Sequence, residues 1–215
     1  MLGPLMGRLD NKTTGHILIF MKTTKEDKRA TILDAGAELM LRQGYHGTGI
    51  QEIVDAAGVP KGSFYNYFKS KEDFALAAME FTSRDHIAGF EAALTTDSPS
   101  PRQRMMDSYA AMAAVYEESR SYTTGCFVGN LCQELADTNA AVAEKAEYLF
   151  RIYTTALARC IRSAQNAGEV GRDADPDRLA EAIFNSWEGA ILRMKSSRSI
   201  QPLNAFLDML AVLLK

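Results

Sequence analysis

From Glu26 to the C-terminus, apolar residues recur at intervals of three and four, and most interruptions carry a helix stop or start signal. Ile32, Ala35 and Leu39, flanked by Leu33, Ala37 and Met40, form one broad stripe that stops at Gly44. Ile50, Ile53, Val54 and Ala57 then fall at i, i+3, i+4 and i+7, behind Thr48 and Gln51 at capping-box spacing and ahead of Gly58, a left-handed stop. Helices with one apolar face must cover it against other helices, so this spacing predicts an all-α fold.

The same reading continues along the chain. Val59-Pro60 makes a bend, 61–68 is a short helix with Phe64 and Phe68 on one face, and Ser70 caps a longer helix carrying Phe74, Ala77, Ala78 and Phe81. A polar break at 95–101 separates this unit from predicted helices over 102–119, 126–136, 140–167 and 176–196, with a last one from Pro202. Asp175-Pro176 has the order of a cap residue followed by proline at the first helical position. Val142, Ala146, Leu149, Tyr153, Ala156, Leu157 and Cys160 make one wide stripe; Leu179, Ala182, Ile183, Trp187, Ala190, Ile191 and Met194 make another. Two uses stay open for them, an intrachain core alone or a core that also offers a self-complementary dimer face.

Composition narrows the class. No apolar run approaches the roughly 18 residues needed to span a bilayer, so no membrane partner is expected. Three cysteines, an odd number in 215 residues, do not make a disulfide framework and point to a reducing, cytoplasmic setting. Residues 1–20 lack the block structure of a secretory signal and read as an extension, either not native, with translation starting at Met21, or a poorly ordered arm. The net charge of −3 argues weakly against nucleic acid. Cations and anions balance between residues 21 and 75, so any DNA binding must rest on a local cluster at Lys61, Lys69 and Lys71.

Two short helices joined by a tight turn match a helix-turn-helix, whose second helix can enter a major groove. That helix opens Lys61-Gly62-Ser63 and places Ser63, Tyr65, Asn66 and Tyr67 opposite its apolar side. Hydroxyls and an amide on a solvated face suit phosphate and base contacts. The bland readings are half-buried packing for Tyr65 and Tyr67 and ordinary solvated charge for Lys61 and Lys71.

Residues 44–74, G-Y-x-G-T-x-I-x-E-I-x-x-A-A-G-V-x-K-G-S-F-Y-x-Y-F-x-S-K-E-x-F, resemble the DNA-binding signature of the TetR family of one-component bacterial repressors. The resemblance implies an N-terminal helix-turn-helix DNA-binding domain over 21–70 and a larger helical domain over 71–215 for effector sensing and dimerisation. It also implies a homodimer on a palindromic double-stranded operator. Lys61, Gly62 and Asn66 would approach base edges, and Thr48, Ser63, Tyr65, Tyr67 and Lys71 would hold phosphates. Gly62 would matter for its missing side chain, which allows close approach.

In the larger domain, Thr123-Thr124-Gly125-Cys126 sets a cysteine at a predicted helix start, where free N–H groups and the helix dipole favour thiolate. The alternative is a small buried hydrophobe. Gly125-Cys126 followed by N-L-x-x-E-L, with Lys195 in L-R-M-K-S-S-R-S, resembles the TetR-type repressors that sense N-ethylmaleimide, reactive aldehydes and hypochlorous acid. That resemblance implies Cys126 as the sensing thiol and Lys195 as its partner, whose ammonium would lower the thiol pKa further. The effector would be an electrophile or oxidant, with a reversibly bound small molecule as the alternative.

Cys132 is six residues from Cys126, too far round a helix for a disulfide, and Cys160 lies in a core stripe. Met105, Met106 and Met112, with Tyr109, Tyr116 and Tyr122, could line a pocket but suit a core better. A thiol-dependent enzyme on a helical scaffold would need a base beside Cys126. His16, His46 and His86 sit in no catalytic motif, and neither zinc spacing nor a cofactor fingerprint is present. No catalytic residue, metal or cofactor is therefore expected.

Overall fold

The computed structural model describes residues 25–97 and 100–215. The expectation for residues 1–20 lies outside them. The described residues form nine helices: α1 (Lys25–Gln43), α2 (Ile50–Ala56), α3 (Lys61–Tyr65), α4 (Lys71–Thr95), α5 (Pro101–Ser119), α6 (Phe127–Leu135), α7 (Ala140–Asn166), α8 (Pro176–Ser197) and α9 (Gln201–Leu213). Among the described residues no helix is long and apolar enough to cross a membrane.

Several boundaries follow directly from side-chain chemistry. Ser70 Oγ accepts from the Asp73 N–H at 3.1 Å and starts α4, and Asp175 Oδ1 accepts from the N–H groups of Asp177 and Arg178 to start α8. Gly44 ends α1 at φ +79, a conformation other residues rarely adopt.

Two boundaries differ from the sequence reading. The start of α2 is capped by Gly49, whose N–H donates to Glu52 Oε2 at 2.7 Å, not by Thr48 and Gln51. The Thr48 hydroxyl turns inward to the Gly44 carbonyl at 2.7 Å, and Gln51 pairs with Asp55 on the exposed face. Helix α3 stops at Tyr65 and not at 68. Ser70 must be extended, φ −153 and ψ 174, to cap α4. The chain therefore leaves the helix through a turn in which Tyr67 and Phe68 donate to the Phe64 carbonyl.

Burial gathers the apolar residues into two cores. One joins α1–α3 and the first half of α4 to Val128, Leu131 and Leu135 of α6 and Val142, Ala146 and Leu149 of α7. The other joins Phe90 and Leu94 of α4 to α5, the second half of α7, α8 and α9. Helices α4, about 37 Å long at 1.5 Å per residue, and α7 thus run through both. Cys126 and Phe150 pack against both cores. The wide stripes of α7 and α8 are spent inside the chain, apart from exposed Ala182 and half-buried Tyr153. Met105 and Tyr109 are core, with Met106, Met112, Tyr116 and Tyr122 packed against it.

Candidate DNA-reading face and sensor cavity

The reading face stands on an aromatic base. Phe64, Phe68 and Phe74 are all buried, and their ring centroids lie 5.2, 5.6 and 5.0 Å apart. This base turns the opposite side of α3 outward. Lys61, Gly62 and Asn66 are exposed, Tyr65 is 54% exposed, and Ser63 and Tyr67 are half-buried. A β-carbon on Gly62 would meet nothing within 4 Å among the described residues, so no contact with them requires glycine there. The open space lies on the solvent side, where an outside partner can approach.

Two residues assigned to phosphates, Thr48 and Lys71, also make contacts inside the chain. Thr48 is 1% exposed and its hydroxyl is committed to Gly44. In this conformation it shapes the α1–α2 turn and presents no donor outward, because an inward hydrogen bond satisfies it where water cannot reach. Lys71 is half-buried with Nζ 4.2 Å from the centre of the Tyr45 ring. Burial holds its pKa below the ordinary lysine value.

The sensor residues meet in the larger domain. Cys126 is the N-cap of α6, and its Sγ accepts from the Gly129 N–H at 3.3 Å. Lys195 Nζ donates to Asn130 Oδ1 at 2.8 Å, and Asn130 Nδ2 donates to the Thr124 carbonyl at 2.8 Å. The lysine stem lies over Gly125: a β-carbon there would sit 2.7 Å from Lys195 Cδ, at a backbone φ of +73. Cys126 and Lys195 therefore line one small cavity of about 20 Å³, together with Gly129, Asn130, Gln133 and Glu188. The ammonium is bonded to Asn130.

The electrostatics reverse the sequence expectation of a favoured thiolate. Burial first, then the Glu188 carboxylate, raise the Cys126 thiol above its ordinary pKa, and the backbone N–H groups of Gly129 and Val128 pull it down by less. Helix-terminus donors are present as expected, but desolvation outweighs them. Burial also raises Glu188 to about 7, with the facing thiol acting the other way. The sequence reading missed Glu188. Its signal was a carboxylate on α8 flanked at i−4 and i+3 by buried Phe184 and Ile191. Nearby, Tyr116 Oη donates to the Gly125 carbonyl at 3.4 Å, whereas the buried Tyr109 hydroxyl has no hydrogen-bond partner among the described residues.

The helix that Cys126 caps also touches the reading unit. Glu134, near the end of α6, accepts from the backbone N–H groups of Tyr45 and His46 at 3.0 and 3.1 Å. Those residues form the turn between α1 and α2. Gly44 leaves room for this contact, because a β-carbon there would lie 2.7 Å from Glu134 Oε1. A separate groove of about 460 Å³ between α4, α5 and α7, lined by Glu91, Arg104 and Arg159, contains no residue of either predicted site.

Known proteins match this arrangement in both parts. The family description "Bacterial regulatory proteins, tetR family" matches residues 32–78, and "Tetracyclin repressor-like, C-terminal domain" matches residues 101–210. The HTH-type transcriptional repressor DhaR of Mycobacterium sp. (strain GP1) is 35% identical over 83% of this chain and 88% of its own. The transcriptional regulator AcuR of Cereibacter sphaeroides is 38% identical over 82% of this chain and 80% of its own. The HTH-type transcriptional repressor NemR of Escherichia coli is 29% identical over 85% of this chain and 91% of its own. The crystal structure of NemR in its reduced form superposes with a TM-score of 0.79 at 27% identity, over 88% of this chain and 98% of that one. These relatives are regulators and not enzymes, and the chain belongs to the TetR family of transcriptional repressors.

Proposed function

We propose that this repressor acts in the cytoplasm as a homodimer on a palindromic operator and lets go when a reactive electrophile or oxidant modifies Cys126. Residues 21–70 read DNA and residues 71–215 sense the effector and dimerise. Lys61, Gly62 and Asn66 approach base edges, while Ser63, Tyr65, Tyr67 and Lys71 hold phosphates. Exposed Leu192 on α8 and exposed Val212 and Leu213 on α9 offer apolar surface for the dimer.

The observation that carries the reading is the position of Cys126. It packs against both cores and caps α6, whose far end holds the α1–α2 turn through Glu134. The space beside the sulfur is only about 20 Å³, so a group added there presses on α6 and α8, and a shift of α6 reaches the turn that sets α2 and α3. The names of NemR and the other relatives as repressors support the output. Replacing Cys126 with Ser should leave operator binding intact and abolish release by N-ethylmaleimide. Release that persists in the variant overturns the covalent mechanism.

One observation favours a second reading. Because burial and Glu188 keep the thiol protonated, a reversible ligand could drive the same shift of α6 without bond formation. It predicts thermal stabilisation by the ligand with no change in protein mass.

A further inference from the structure

Glu188 and Cys126 come from different helices and converge over Gly129. The space a β-carbon on Gly129 would fill has Glu188 Oε2 at 3.0 Å and Cys126 Sγ at 3.6 Å, and both residues line the same cavity. A carboxyl and a thiol this close, both partly withdrawn from water, cannot titrate independently. We infer that Cys126 and Glu188 share one proton, and that the sulfur attacks an electrophile only after that proton has moved to the Glu188 carboxylate. The inference rests on Cys126 as the sensing thiol and assigns Glu188 as the proton acceptor that sets its reactivity.

The step balances without any oxidant. With N-ethylmaleimide, the Cys126 S–H bond breaks and the proton goes to Glu188. The sulfur electron pair forms an S–C bond at one alkene carbon, and the alkene π bond breaks. The proton held by Glu188 then passes to the neighbouring carbon.

The surroundings leave the pair in control of the pH dependence. Tyr109 and Tyr116 of α5, Cys132 of α6 and Tyr153 of α7 interact with Glu188, and burial raises all four above their ordinary values. None of them changes charge between pH 5.5 and 8. Lys195, on α8 itself, is bonded to Asn130.

Sharing a proton gives the reaction a characteristic profile. Glu188 titrates at about 7 while the thiol lies far above its ordinary value. Above pH 7 the pair holds one proton, the thiolate–carboxylic acid form is a fixed minor fraction, and the rate is level. Below pH 7 the pair holds two protons and the rate falls about tenfold per pH unit. With a neutral amide at 188 only the thiol titrates, so the rate climbs about tenfold per unit throughout.

The test is the rate of N-ethylmaleimide addition to Cys126, read by peptide mass spectrometry on the DNA-free protein between pH 5.5 and 8. The unsubstituted protein should bend near pH 7, Glu188→Gln should show a straight rise, and Glu188→Asp should restore a bend. A bend that survives in Glu188→Gln, or a straight rise in the unsubstituted protein, overturns shared-proton control. Loss of operator release on a sample that shows the expected bend would contradict the sensing role of Cys126 and leave the pair standing. A lone packing role for Glu188 would change rates without changing the shape of the profile.

Discussion

The reading face and the sensor cavity handle the same problem, placing polar groups beside apolar ones, in opposite ways. On α3 the polar groups face water and Phe64, Phe68 and Phe74 hold them there from beneath. Around Cys126 the polar groups face one another between helices, where burial moves both the thiol and the carboxyl from their ordinary values. An exposed face can be read one residue at a time, since each group interacts mainly with water until DNA arrives. A cavity between helices cannot, because each group there sets the ionisation of its neighbours. Helices α4 and α7 run through both cores on which these regions stand, so a disturbance in one is not confined to it.

The largest effect expected is from Phe64→Ala. Removing a fully buried ring should lower stability by about 3–5 kcal/mol and abolish operator binding. The chain has one tryptophan, Trp187, in the other core. Circular dichroism and Trp187 fluorescence should shift together in urea, because α4 and α7 tie the cores into one cooperative unit. Fluorescence that lags behind would split the molecule into two independent halves.

Glu188 should give the next largest effect, confined to the sensor side. Its folded pKa is raised from 4.5 to about 7, so the folded state binds more protons than the unfolded state between those values. Its contribution is therefore present at low pH and lost as pH rises through about 7, by roughly 3 kcal/mol at most. Thermal melts between pH 5 and 8 should show this decline, and Glu188→Gln should flatten it. An unchanged slope in the variant would place the decline elsewhere.

Smaller effects should mark the reading face. Asn66→Ala should cost about 1–3 kcal/mol on the preferred operator and relax preference at one position in each half-site. Tyr65→Phe, which removes one exposed hydroxyl, should weaken all duplexes about equally by roughly 1 kcal/mol. Competition binding against single-base operator variants separates the two. If both variants leave affinity and preference unchanged, α3 is not the recognition helix.

Much of the fold was legible because it depends on local spacing. The caps at Ser70 and Asp175, the stop at Gly44 and the Phe64/Phe68 face are interactions between residues at most four positions apart. The errors arose where two local options competed. Thr48 had both a helix start and the Gly44 carbonyl within reach, and the carbonyl took its hydroxyl. Residues 66–68 could have continued α3, but the extended Ser70 cap of α4 shortened it. At the sensor, spacing alone could not bring Lys195 near Gly125 or show that its ammonium would choose Asn130. The expectation of a low thiol pKa failed for the same reason. A helix start is visible in sequence, but the burial and the Glu188 carboxylate that outweigh it come from other helices.

Operator release and covalent modification of Cys126, followed on one sample titrated with N-ethylmaleimide, test the central claim most directly. Intact mass would count the adducts, peptide mapping would locate them, and fluorescence anisotropy of a labelled operator would follow release. The account predicts that the bound fraction falls in step with the fraction of Cys126 modified. Full modification of Cys126 with the operator still bound would contradict it.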